Sequence, residues 1–164
     1  MTTNTVRATE PRDLEAITEI FNCPNVVAGT LQLPYRSVEE RREWLSHSAP
    51  GTHSLVAEIG GRVVGQLGLH PATNPRRRHC ASIGMAVHDD FQGQGIGSTL
   101  MAAMLELADY WLDLRRIELQ VYADNAAAVH LYEKCGFAIE GSLRSYAYRS
   151  GSFVDAYMMA RLRE

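Results

Sequence analysis

The sequence predicts an α/β fold, more closely an α+β arrangement in which a mixed and mostly antiparallel central sheet carries helices on both faces. Apolar, β-branched runs alternate with stretches of helical periodicity, glycine pairs of the kind that turn hairpins join neighbouring runs, and the second half places a helix between two strands. The resulting order is β α α β β β α β α β β, read as one domain over residues 1–164.

TVRAT, residues 5 to 9, reads as a short strand, and residues 11 to 21 then set Leu14, Ile17, Ile20 and Phe21 at helical spacing. Residues 22 to 36 contain two prolines and a glycine and are expected to be loop. SVEERREWLSH opens with Ser37 as N-cap and Glu40 as its capping-box partner, which predicts a second short helix. HSLVAEIG and RVVGQLGLH flank Gly60 and Gly61 as a tight hairpin, PATNPRRR follows as loop, and HCASIGMAVH forms the third strand of this antiparallel group. From about Ile96 to Leu112 the residues Ile96, Leu100, Met104, Ala108 and Trp111 form one helical stripe. RRIELQVYA is a strand, DNAAAVHLYEKC a helix closed by Gly136 at C′, and the remainder a hairpin turning at Ser150 and Gly151.

A chain that is 46% hydrophobic can bury a substantial core. Its formal charge of -3 draws neither nucleic acid nor an anionic membrane, which leaves a small molecule as the expected partner. RRRH, residues 76 to 79, reads as a solvated loop tip. Cys23, Cys80 and Cys135 are widely spaced, with no C-x-x-C pair, and the histidines lack ligand spacing, so no metal is expected. Without a leader-like start or a membrane-spanning apolar run, the expected location is the cytoplasm. Met101, Met104 and the pair Met158–Met159 read as core filler.

QGQGIG, residues 92 to 97, places three glycines after a strand and at the start of a helix. A helix N-terminus offers unpaired amides and the positive end of the macrodipole, which suits a pyrophosphate. The P-loop pattern is absent, and a dinucleotide fingerprint would need glycine where Ser98 stands. Downstream, Asn125, Ala128 and Tyr132 share one helix face.

Gln92-x-x-Gly95-x-Gly97 after a strand, followed by N-x-x-A-x-x-x-Y-x-x-x-G-F from Asn125 to Phe137, resembles the GCN5-related N-acetyltransferases, the GNAT family, over nearly the whole chain in element order. The resemblance implies the GNAT fold and acetyl-CoA as cosubstrate. It implies a cofactor site at Gln92, Gly93, Gln94, Gly95, Gly97, Ser98, Asn125 and Ala128, with amides of the glycine loop on the pyrophosphate and main-chain groups of Met85, Ala86 and Val87 on the pantetheine arm. Tyr132 occupies the position that carries the general acid in many relatives.

TLQLPY, RIELQVYADNAAA and YRSGSFVDAYMMARL are similar to the bacterial subgroup that acetylates free L-amino acids. That likeness implies transfer to an α-amine by direct attack in a ternary complex, with Thr30, Leu31, Leu33, Tyr146, Tyr148 and Asp155 flanking the acceptor. A phosphinothricin-type toxic amine or a protein N-terminus is the competing acceptor, and a coenzyme A sensor without turnover the competing class. Family members often pair, so a homodimer is a further expectation.

Acetyl transfer from a thioester needs a neutral amine, a stabilised oxyanion and a proton for the leaving thiolate. A main-chain N–H of the strand carrying Met85 to Val87 is expected at the oxyanion. Where many relatives carry a carboxylate before the glycine loop, this chain has Ser82, so the base is open between Glu118 and His70, either of which can equally be a plain strand residue.

Overall fold

The computed structural model describes residues 3–164; Met1 and Thr2, which begin the segment read for a leader, lie outside the described residues. Seven strands form one sheet in the order β1-β2-β3-β4-β5-β7-β6. They are β1 (Asn4–Ala8), β2 (His53–Ile59), β3 (Arg62–Pro71), β4 (Cys80–Val87), β5 (Arg116–Tyr122), β6 (Ala138–Arg149) and β7 (Ser152–Leu162). The helices are α1 (Leu14–Asn22), α2 (Pro24–Gly29), α3 (Val38–Ser46), α4 (Ile96–Tyr110) and α5 (Ala126–Lys134).

All pairings are antiparallel except β4 with β5. Three helices rather than two separate β1 from β2, because the stretch expected to be loop holds α2. Pro24 occupies its first turn, where a missing N–H costs nothing, so the residue read as a breaker starts a helix.

Alternation sorts the sheet into two faces. Leu67 and Leu69 of β3 and Ile117, Leu119 and Val121 of β5 join the core under α4 and α5, while Val56, Val63 and Ala86 pack with Ile17, Ile20 and Phe21 of α1. Close docking of α4 depends on Gly65, where a Cβ would stand 3.0 Å from both Ile96 Cγ2 and Leu100 Cδ1. Met101, Met104 and Met159 are fully buried. The α4 stripe is buried at Ile96, Leu100, Met104 and Ala108 but not at Trp111, 77% exposed, because the helix ends at Tyr110 and the cap residue swings out of register.

Local chemistry sets the turns and ends. Gly60–Gly61 and Ser150–Gly151 all have positive φ, as two-residue hairpin turns of the primed type demand, and Gly136 has φ 90° after α5. At α3 the Ser37 hydroxyl accepts from Glu40 N–H while the Glu40 carboxylate accepts from Ser37 N–H. Ser37→Ala should cost about 1 kcal/mol of stability, read as a lower denaturant midpoint with an unchanged slope.

Candidate active site

The parallel pairing of β4 with β5 lasts for three residues, Cys80–Ser82 against Arg116–Glu118, and the strands then part. Main-chain alternation shows what lines the opening. Arg116 N–H donates to His79 O on one side of β4, and His88 N–H donates to Val64 O on the other, so odd-numbered residues face β5 and even-numbered ones face β3. Met85 and Val87 therefore turn main-chain groups into the gap. Ala86, expected in the same role, instead pairs its backbone with β3 and contributes only its surface to the cleft. The Val87 carbonyl accepts from the Gln92 side chain at 3.1 Å.

The gap widens into a cleft of about 780 Å³. At one end stands the start of α4, where Gly95 adopts φ 81° as N-cap and, among the described residues, no side chain caps the helix. The first intrahelical bond here runs from Thr99 N–H to Gly95 O, which leaves the amides of Ile96, Gly97 and Ser98 without helical partners. No acidic residue occupies the first turn. Gly93 and Gly95 both have positive φ with open space where a Cβ would stand, so a ligand can approach this backbone. A bare helix N-terminus beside an unpaired strand edge fits a pyrophosphate joined to an extended amide-bearing arm.

Tyr132 lines the cleft opposite, its ring packed 5.9 Å from Phe137 and its hydroxyl bonded to no protein group among the described residues. Burial pushes its pKa up to about 12, so the phenol is protonated throughout the neutral range. Because that value lies above the usual 10, the favourable share of stability is complete below pH 10 and is lost as pH rises toward 12. Asn125 caps α5 by accepting from Ala128 N–H at 3.2 Å, and both residues line the cleft.

On the sheet face toward α1, the floor of the cleft is Gln66, Gly68 and His70 of β3 with Gly84 of β4. The imidazole of His70 lies back over Gly68, where a Cβ would sit 2.8 Å from Nε2. Desolvation lowers the His70 pKa, so the ring is neutral at pH 7 and available to accept a proton. Phe21, Trp44, Thr30, Leu31 and Gln32 form one wall, and Gln120, Tyr122, Tyr146 and Arg149 the other. The Tyr122 hydroxyl donates to Thr30 O at 3.0 Å and fixes the end of α2 over the cleft.

Several expected site residues lie elsewhere. Glu118, considered as a base, is outside the cleft and engaged in an ion-pair cluster by Arg77 at 2.5 Å and by Arg116 Nε at 2.6 Å. Residues 76–79 are all exposed, as a solvated loop tip should be, and Arg77 reaches from that tip to pair with Glu118. Asp155 accepts from Ser145 N–H in the last hairpin, Leu33 projects into solvent, and Gln94 bonds Asp90 O; none of the three lines the cleft. Sequence reasoning missed Gln66, Gln120, Tyr122 and Arg149, whose cleft positions follow from strand register and from the return of β6 toward the β5–α5 turn.

Residues 14–137 match the sequence model of the Acetyltransferase (GNAT) family. The chain belongs to the GNAT family. This GNAT chain is 45% identical over 158 residues to L-amino acid N-acetyltransferase AaaT of Escherichia coli (strain K12), covering 96% of this chain and 97% of that one. It is 28% identical to the phosphinothricin N-acetyltransferase of Alcaligenes faecalis, covering 96% and 81%. Among solved structures, the spermidine N-acetyltransferase of Vibrio cholerae in complex with CoA and spermine superposes with a TM-score of 0.85 at 30% identity, covering 97% and 95%. As a GNAT enzyme the protein is an acetyl-CoA-dependent N-acetyltransferase. No helix among the described residues is long and apolar enough to cross a membrane, and no group of three His, Cys, Asp or Glu gathers at metal-holding distance among them.

Proposed function

We propose that the acceptor is the α-amine of a free L-amino acid, preferably one with an apolar side chain. The observation that carries this reading is the charge of the cleft lining. Among the described residues its one carboxylate, Asp124, is already paired with its one arginine, Arg149, so a polyamine meets no free negative charge from them. Phe21, Trp44 and Leu31 supply an apolar wall for a side chain. The similarity to the Escherichia coli amino-acid enzyme over almost the whole chain supports the same acceptor.

Acetyl-CoA brings the acetyl group as a thioester and departs as the thiol. Amides of Gly93, Gly95, Ile96, Gly97 and Ser98 hold its pyrophosphate, and Met85 and Val87 continue the strand edge along the pantetheine. The acceptor nitrogen attacks the acetyl carbon, a main-chain N–H of Met85 or Val87 meets the oxyanion, and the carbon–sulfur bond breaks as Tyr132 gives its proton to sulfur. His70, directly or through water, takes the proton that the ammonium must lose. A desolvated thiolate is itself more basic than one in water, which suits a phenol that holds its proton tightly. The three unpaired cysteines and the demand for acetyl-CoA support a cytoplasmic setting, and the free outer edge of β6 supports a homodimer.

Thiol release measured against the L-amino acids, phosphinothricin, spermidine and short peptides tests the reading. Highest kcat/KM on apolar free amino acids is the expected result. A preference for spermidine or peptides would sink it, and coenzyme A binding without thiol release from any amine would favour a sensor.

A further inference from the structure

We infer that Gln32, held in place by Arg41, recognises the carboxylate of the acceptor. The inference rests on the amino-acid reading above and adds the group that discriminates an amino acid from other amines. Arg41 of α3 is only 3% exposed. Its guanidinium lies 4.5 Å from the ring centroid of Phe21 and 5.1 Å from that of Trp44, and Nη2 donates to Gln32 Oε1 at 2.9 Å. The Nε–H is buried without a partner, and no carboxylate forms an ion pair with the guanidinium among the described residues. Glu40, on the same helix, is taken up by Ser37 N–H and Arg36.

A buried cation without a counter-ion is costly, and two aromatic faces offset only part of that cost. Arginine has donors and no acceptor, so the Gln32 side chain must turn its oxygen toward it. The Gln32 Nε2 group then faces away with two donors that no protein group among the described residues uses. Gln32, Phe21 and Trp44 all line the cleft, on the sheet face that carries His70 and away from the glycine loop. An amide dipole with its positive end toward the cleft, backed by an unneutralised guanidinium, suits an anion on the acceptor rather than on the cosubstrate. Arg149, across the cleft, is already neutralised: it donates to Asp124 and to Ala28 O and stacks 5.1 Å from the Tyr122 centroid.

The test compares kcat/KM for L-leucine and L-leucinamide in the wild type, Gln32→Glu, Gln32→Leu and Arg149→Gln, together with the melting temperature and the KM for acetyl-CoA. Glu at position 32 gives Arg41 its missing anion and repels the acceptor carboxylate. The expected result is a melting temperature no lower than wild type, an unchanged KM for acetyl-CoA, and a loss of about 10- to 100-fold in the preference for acid over amide. Gln32→Leu should weaken the same preference. An unchanged acid-to-amide ratio in Gln32→Glu overturns the inference, as does a loss confined to Arg149→Gln, and the amino-acid reading survives both. A wild type that turns over the amide but not the acid overturns the acceptor reading itself, and the carboxylate site with it.

Discussion

Tyr132→Phe is expected to lower kcat by about 100- to 10,000-fold, the usual worth of a positioned proton donor. The substitution removes one oxygen and keeps the ring on Phe137, so the packing of α5 and the affinity for coenzyme A should hold. Saturating thiol-release assays with parallel titrations of coenzyme A separate the two quantities. Because burial raises the phenol to about 12, the wild-type rate should show no alkaline loss from this group up to pH 10. A mutant within threefold of wild type would place the proton source elsewhere.

Gly95→Val should raise the KM for acetyl-CoA by about 10- to 100-fold. Gly95 has φ 81°, a region in which a β-branched residue costs about 1–3 kcal/mol, and the new side chain would fill the open space that a phosphate needs. Gly51→Val is the control. Its φ is 83°, and a Cβ there meets only Pro71 at 3.6 Å, at the end of β3 that pairs with Ala81 rather than with Val87 beside the glycine loop. Both variants should melt lower, and only Gly95→Val should change the KM for acetyl-CoA. Equal KM values in the two would remove the glycine loop from cosubstrate binding.

What could be read from the sequence was whatever local chemistry decides. The Ser37–Glu40 capping box, the paired hairpin glycines and the Gly136 stop each depend on residues a few positions apart, and each stands where it was expected. Helix α2 was lost because Pro24 and Gly29 mark both loops and helix ends. Glu118 was a reasonable base on paper, yet Arg77 lies 41 positions away and its hold on that carboxylate exists only in the folded chain. The position of His70 over Gly68 at the cleft floor is likewise set by folding, since strand register places it there. The contact of Arg41 with Gln32 spans nine residues, from α3 back to the loop after α2, and has no periodic signature.

The short union of β4 and β5 carries a consequence for motion. With three residue pairs joining them, β1–β4 and β5–β7 resemble two leaves on a hinge at Cys80–Ser82 and Arg116–Glu118. A bound pantetheine would act as a missing rung, bonding the Met85 and Val87 edge while Tyr132 on α5 closes from the other leaf. Amide protons at residues 85 and 87 should then exchange more slowly once coenzyme A is present, and the two leaves should melt together at a higher temperature, since a ligand that binds only the closed arrangement withdraws the open one from the equilibrium.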